Sequence, residues 1–348
     1  MAAGPLRDAH GAGSVKIAVG VSGGVDSAVT ALLLKERGHE VVGVTMALGR
    51  DGEETSIADA RQVAERIGIE FHVLDLAKEW NENVLHYIKE TYLAGRTPNP
   101  CVRCNETVKF NLLPRYAFEK LGCEKFATGH YARLEDGHLF RGKDRGKDQS
   151  YFLYRVAKDI LVRTLFPLGA MCKDEVREKA RQFGFVVADK HDSQDFCGGD
   201  PMNIVNAADL PGNIVDETGK VLGRHNGFWH YTVGKRKGLG IGGGTPYYVV
   251  RLDAARNEVV IGFRDRIDCV QIELHDVVTL AKSAADEELM MKVRSAGEPK
   301  GPVAWDGGAH VKCAAPIAGV APGQSAVFYR GEEVVGGGII ERTEARGA

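Results

Sequence analysis

Two groups of residues carry chemistry by their types and spacing. The first is Ser22-Gly23-Gly24-Val25-Asp26-Ser27, directly after the apolar run Lys16-Ile17-Ala18-Val19-Gly20-Val21 and directly before the helix-like Ala28-Val29-Thr30-Ala31-Leu32-Leu33-Leu34. A strand that breaks at two glycines and opens a helix gathers unpaired backbone N–H groups, the positive end of a helix dipole and two hydroxyls around one small volume, which suits a phosphate. No Lys-Ser or Lys-Thr follows the glycines, so this is not the loop whose own lysine reaches the outer phosphates in the common nucleotide triphosphatases. The second group is cysteines. Cys101 and Cys104 stand in Gly95-Arg96-Thr97-Pro98-Asn99-Pro100-Cys101-Val102-Arg103-Cys104-Asn105, and Cys197 stands in Asp192-Ser193-Gln194-Asp195-Phe196-Cys197-Gly198-Gly199. Two prolines predict an extended loop that presents Cys101 and Cys104 outside any helix, with Arg96 and Arg103 near enough to favour thiolate. Cys123, Cys172, Cys269 and Cys313 sit singly in ordinary surroundings and read as small core residues. A lone CxxC is compatible with zinc, redox exchange or chance, and zinc would want four ligands where no second CxxC or paired-histidine motif occurs. Three cysteines in two irregular segments fit a sulfur-handling relay or a three-thiolate cluster site with one coordination position open.

The elements that must hold these groups alternate strand and helix over the first two hundred residues. Short β-branched runs at 15–21, 40–46, 69–74 and 125–128 read as buried parallel strands. Between the second and third, Ile57, Ala60, Val63, Ala64 and Ile67 fall at helical spacing, opened by Ser56 with Asp59 and closed by Gly68. This β-α-β-α-β pattern predicts an α/β doubly wound parallel sheet, with the ligand site beyond the carboxyl ends of the strands where Ser22–Ser27 sits. Past about residue 205 glycine-rich turns separate short alternating strands, which suggests small antiparallel sheets or barrels. The expected division is a disordered leader over 1–14, a nucleotide-binding catalytic domain over 15–204, a small central β-rich domain over 205–270 and a C-terminal β-barrel over 271–348.

A chain of 348 residues, 44% hydrophobic and 26% charged, has the make-up of an ordinary soluble globular protein with more than one core. Its longest apolar stretches are strand-sized, so no membrane span is expected, and the small polar N-terminus predicts a cytoplasmic address. Seven cysteines without a secretory signal argue for thiol chemistry rather than a disulfide scaffold. A net charge of −2 confines any nucleic-acid binding to local basic runs: Arg141, Lys143, Arg145 and Lys147, or Lys235, Arg236 and Lys237. Taken alone, each run reads as solvated surface.

The SGGVDS run resembles the loop of the PP-loop ATP pyrophosphatases, and the whole chain resembles the bacterial tRNA-specific 2-thiouridylases. The matches run in order: Gly20 to Ser27; Gly95-Arg96-Thr97-Pro98-Asn99-Pro100 with Cys104-Asn105 and Lys109-Phe110; Ala127-Thr128-Gly129-His130-Tyr131; Lys147-Asp148-Gln149-Ser150-Tyr151-Phe152-Leu153; Asp192-Ser193 followed by Cys197; and Gly234 with Arg236-Lys237-Gly238-Leu239-Gly240-Ile241-Gly242-Gly243. The resemblance implies sulfur transfer to C2 of the wobble uridine of tRNA, with adenylation of the C2 oxygen by ATP and magnesium, then attack by a persulfide supplied by a sulfur carrier or cysteine desulfurase. Carried over by motif, Gly20, Val21, Ser22, Gly23, Gly24, Val25, Asp26, Ser27, Met46 and Gly129 bind ATP. Cys197 carries the persulfide, and Cys104 releases the sulfur by forming a disulfide with it. Asn99, Pro100 and position 101 touch the target base, Lys147, Asp148 and Gln149 touch tRNA, and His130 faces ATP or RNA. Arg236 and Lys237 add tRNA contacts. Many members have Asp where this chain has Cys101, so a [4Fe–4S] cluster on Cys101, Cys104 and Cys197 stands as the rival to the relay. Another PP-loop synthetase acting on a small molecule, or a non-catalytic iron–sulfur or RNA-binding protein, are the more distant alternatives; ATP consumption with and without tRNA separates them.

Overall fold

Short β-branched runs alternating with amphipathic stretches leave few ways to bury both faces of a sheet, and the chain adopts the doubly wound one. A computed structural model describes residues 13–189, 201–242, 244–284 and 287–345. It divides into two compact units, one of Met1–Asn83, Cys101–Gly198 and Glu332–Val334, the other of Val84–Pro100, Gly199–Gly331 and Val335–Ala348.

In the first unit β1 (Lys16–Gly20), α1 (Val25–Glu36), β2 (Glu40–Ala47), α2 (Glu53–Ile67), β3 (Glu70–Asp75) and β4 (Lys125–Ala127) follow the expected alternation. A hairpin of β5 (Ala132–Glu135) and β6 (His138–Arg141) comes next, then β7 (Thr164–Leu165) and a helix over Lys173–Phe183. The main sheet has the order β3-β2-β1-β4-β7, parallel throughout. β1 lies at its centre, so Ile17, Ala18 and Val19 are fully buried and the loop that follows β1 opens at a carboxyl edge between β2 and β4. α1 is buried over most of its circumference, from Val25 to Leu34, because its outer side packs with Val176 and Ala180 of helix Lys173–Phe183. α2 departs from the expected start. It begins at Glu53 after Gly52 rather than at Ser56, and the Glu53 carboxylate accepts from the N–H groups of Leu48 and Gly49, closing the turn that an Ser56 cap was expected to make. Gly68 ends it in the left-handed region as expected.

The second unit holds two separate apolar cores. Around Ile214, Phe228, Trp229, Val249, Val259 and Ile261 lies a four-stranded sheet of β8 (Gly212–Asp216), β9 (Val221–His225), β10 (Tyr248–Asp253) and β11 (Glu258–Gly262), in the order β10-β11-β8-β9. β8 and β11 pair in parallel, where only antiparallel pairing was expected; the 41 residues between them are long enough for the return crossover that parallel neighbours need. β12 (Asp268–Thr279), β13 (Glu288–Lys292), β14 (Lys300–Ala304), β15 (His310–Ala318), β16 (Ser325–Arg330) and β17 (Glu333–Ala345) close a barrel through the additional β12 to β17 pairing. Its core stacks Trp305 on Phe328, ring centroids 4.1 Å apart. No helix among the described residues is long and apolar enough to cross a membrane.

Candidate active site

The Ser22–Ser27 segment is a strand-to-helix turn, and α1 starts at Val25 with Gly24 as its first flanking residue and no side-chain cap. The first-turn N–H groups of α1 therefore keep their donor capacity toward the crevice in front of them. Gly23 has φ +72°, and a β-carbon there would stand 2.5 Å from the Ser56 carbonyl oxygen, so only glycine allows the loop to lie on α2. At Gly129, just past β4, a β-carbon would come within 2.8 Å of the Asp26 backbone. The two hydroxyls are set by local bonds: Ser27 Oγ donates to the Gly24 carbonyl at 3.0 Å and accepts from the Ser22 N–H at 3.1 Å, with Ser22 Oγ 3.3 Å away.

These residues face a cavity of about 440 Å³, within the range of nucleotide-sized sites. Gly20 to Ser27, Met46, Gly129, His130, Lys147 and Gln149 all line it, so the structure brings together all ten residues expected at ATP and several expected at RNA. One carboxylate and two hydroxyls fit a magnesium ion that arrives on phosphates and keeps waters, rather than an all-protein cage. No group of three or more His, Cys, Asp or Glu able to hold a metal occurs among the described residues. His130 Nδ1 lies 2.8 Å from Thr128 Oγ1, its ring among Phe110 and Phe166. Burial, and then the Lys109 ammonium, hold its pKa well below the usual histidine range, so it faces the crevice neutral.

The cysteine segment corrects the sequence expectation. Pro100–Cys104 is a helical turn, not an extended loop: proline is tolerated at the first helical position, where its missing N–H has no partner to lose. It runs into a wider turn over Asn105–Lys109, pinned where Glu106 accepts Arg155 at 2.8 Å and Arg103 at 3.4 Å. Cys104 is 1% exposed. Burial raises the Cys101 thiol to about 11 and raises Cys104 as well, while Lys109 opposes the shift at both. Asn99 is also buried, and its N–H donates to Tyr87 Oη. Cys197 and the surrounding Asp192 to Gly199 lie outside the described residues. Of the other cysteines, Cys123 and Cys269 are core residues as expected, whereas Cys172 caps helix Lys173–Phe183.

The basic runs separate into different classes. Arg141 is buried, and its Nε donates at 3.0 Å to Asp148, whose carboxylate side chain is 1% exposed and also accepts from the N–H groups of Gly142 and Ser150. The Asp148 side chain is thus an internal tie, not a group presented to RNA, and Arg141 drops out of the basic patch. Lys143 and Arg145 are exposed in pairs with Glu175 and Glu332. Gln149 Oε1 accepts from the Tyr131 N–H at 2.9 Å. In the second unit Lys235, Arg236 and Lys237 are exposed.

Three side chains, two lining the crevice and one behind Asp26, have no role that the sequence reading gives them. Tyr131 Oη donates to Asp26 Oδ1 at 2.8 Å, Lys173 Nζ lies 2.8 Å from both Asp26 oxygens, and Lys109 lines the cavity. Tyr131 and Lys109 stand inside matched motifs; Lys173 had no local signal, being 147 residues from its partner.

The family described as "tRNA methyl transferase HUP domain" matches residues 15–198, more than half of the chain, followed by "tRNA methyl transferase PRC-barrel domain" over 203–263 and "Aminomethyltransferase beta-barrel domain" over 269–340. The chain is 43% identical to the tRNA-specific 2-thiouridylase MnmA of Geobacter metallireducens over 95% of its own length and 98% of that protein's. To the proteins of the same name from Rhodopseudomonas palustris and Nostoc punctiforme it is 44% and 39% identical, over 95% and 94% of this chain and 92% and 99% of theirs. Among solved structures, a 4-thiouridine synthetase in complex with RNA and ATP gives a TM-score of 0.38 at 19% identity, over 51% of this chain and 43% of that one. With identity at this level sustained from end to end, the chain belongs to the tRNA-specific 2-thiouridylase family.

Proposed function

We propose that this protein is an ATP-dependent tRNA-uridine 2-sulfurtransferase acting on the wobble position. The observation that carries the reading is the uncapped α1 turn, with Ser22, Asp26 and Ser27 facing a nucleotide-sized cavity, in a chain whose family relatives are named for 2-thiolation. The C2 oxygen of the uridine attacks the α-phosphorus of ATP, pyrophosphate leaves along the Ser22–Ser27 turn, and the oxygen departs later as part of AMP. Asp26, together with the phosphates, would hold a magnesium ion, which would supply positive charge to the leaving pyrophosphate. The loop N–H groups and hydroxyls bind and orient the phosphates, while Met46 and Gly129 contact the adenosine. The terminal sulfur of a Cys197 persulfide attacks C2, and Cys104 attacks the remaining S–S bond to leave a Cys104–Cys197 disulfide that an external thiol must reduce. The persulfide comes from a sulfur carrier or cysteine desulfurase. In this reading residues 15–204 form the catalytic domain, 205–270 and 271–348 serve tRNA docking, with Asn99, Pro100 and Cys101 at the base and Lys147, Gln149, Arg236 and Lys237 on the backbone, in a cytoplasmic protein.

The test is Cys197→Ser: it abolishes thiouridine while still releasing pyrophosphate in a tRNA-dependent manner, because serine carries no persulfide. Thiouridine formed by that variant removes Cys197 from the reaction. Cys101→Ser separates the relay from a [4Fe–4S] cluster: iron-free protein fed a persulfide donor, ATP and tRNA stays active on the relay and is dead on the cluster.

A further inference from the structure

The turn read as the pyrophosphate site has no lysine of its own, yet a buried lysine sits against its only carboxylate. Lys173 Nζ lies 2.8 Å from Asp26 Oδ1 and 2.8 Å from Oδ2. The Lys173 side chain is 8% exposed and that of Asp26 is 31% exposed, and it is Asp26 rather than Lys173 that lines the crevice. The position of Lys173 is built in. It is the first residue of its helix, its N–H donates to Asp144 Oδ2 at 3.0 Å, and a reciprocal cap between Cys172 and Glu175 fixes the turn. Tyr131 Oη holds Asp26 Oδ1 from another side. Both carboxylate oxygens are thus occupied by a cation from within the protein, at the atoms a divalent ion would need.

We propose that Lys173 is a positioning residue that competes with the divalent cation for Asp26. It neutralises the carboxylate while no nucleotide is bound, so that a free metal ion is not captured, and it yields the two oxygens only to a metal ion delivered on ATP. The released ammonium then lies next to pyrophosphate, supplying from helix Lys173–Phe183 the positive charge that the turn lacks. This rests on reading Ser22–Ser27 as the pyrophosphate site.

Competition predicts opposite signs for two affinities, which a purely structural role does not. Mn²⁺ binding without nucleotide is read by electron paramagnetic resonance, and ATP binding with Mg²⁺ by calorimetry, on wild type, Lys173→Met, Lys173→Arg, Asp26→Asn and Lys173→Met combined with Asp26→Asn. Lys173→Met should bind Mn²⁺ alone about tenfold more tightly or better, and ATP about tenfold more weakly, from the loss of one unit charge at contact distance. Adding Asp26→Asn should erase the gained Mn²⁺ site, and Lys173→Arg should keep both affinities near wild type. Unchanged or weaker Mn²⁺ binding by folded Lys173→Met overturns the competition even if ATP binding falls. If Asp26→Asn alone leaves ATP binding at the wild-type level, the pyrophosphate reading fails and takes this proposal with it. For a buried lysine whose removal prevents folding, the unaltered protein decides: the Nζ resonance of Lys173, assigned by its absence from Lys173→Arg, shifts with Mg²⁺ and ATP together, and a resonance that stays in place overturns the proposal.

Discussion

The glycine turn after β1 and the turn that carries Cys101 and Cys104 both open helical segments, and they are prepared to different degrees. The first presents uncapped N–H groups, two hydroxyls and a part-exposed carboxylate to a cavity. In the second, Cys104 is 1% exposed and both thiols are pushed up by burial. Binding a phosphate needs only donors already in position, whereas sulfur chemistry needs a thiolate, which a buried neutral thiol is not. On the function proposed above, the difference teaches that the nucleotide end is preorganised and that the sulfur end waits for a change in exposure or charge, with Lys109 the cation that opposes the upward shift at both thiols.

The strongest way to break that contrast is at the glycine turn. Asp26→Ala and Ser27→Ala should each lower tRNA-dependent pyrophosphate release on the order of 10³-fold, as loss of a charge-stabilising group at a reacting phosphate does. Their tRNA affinity, measured by filter binding, should stay within about twofold, since the substitutions act on pyrophosphate and its metal. A parallel loss of tRNA affinity would mean that the turn serves RNA instead.

The pH dependence of alkylation sharpens the other side of the contrast. With its thiol at about 11, Cys101 is almost wholly protonated at pH 8, so iodoacetamide should label it roughly a hundredfold more slowly than free cysteine. The sign is fixed: the folded pKa is raised, so labelling climbs about tenfold per pH unit and levels off only near that value. Lys109→Met removes the opposing charge and should slow labelling further. Fast labelling of wild type at pH 8 would show that the cysteine turn is already open.

What sequence makes legible follows from how local the cause is. The β1 to α1 turn is spelled by contiguous residues, and the parallel sheet by short β-branched runs, so both are readable. The helical state of Pro100–Cys104 is not, because the same proline fits an extended loop or a first helical turn, and burial of Val102 and Cys104 decides between them. The parallel pairing of β8 with β11 and the contact of Lys173 with Asp26 depend on chain segments brought together from far apart, which no local pattern encodes. Arg141 likewise reads as a surface cation until Asp148 is seen beneath it.

That last pair yields a stability contrast inside one motif. Asp148→Ala removes the carboxylate that ties buried Arg141 and strips the acceptor from the N–H groups of Gly142 and Ser150, so thermal or denaturant unfolding should show a loss of about 3–5 kcal/mol. Lys147→Ala, one residue away at the crevice, should change stability by no more than about 0.5 kcal/mol. Equal effects at the two positions would mean that Asp148 is not the internal tie described above.

The smallest expected effect tests whether the exposed cations of the two units act on RNA at all. Arg236 and Lys237 are exposed and Lys147 lines the crevice, and a net charge of −2 means that backbone contacts must come from few residues. If each neutralises one phosphate, replacing all three by alanine should flatten the slope of log affinity against log salt by about two to three. Catalytic turnover at saturating tRNA should fall little, because backbone contacts position the substrate without touching the reacting atoms. Lys143→Ala and Arg145→Ala, whose charges are taken up by Glu175 and Glu332, serve as the control and should leave the slope as it is. An unaltered slope in the triple variant assigns these cations to ordinary solvated surface, and a slope that moves with the control instead places the RNA track on the β5 to β6 side of the first unit.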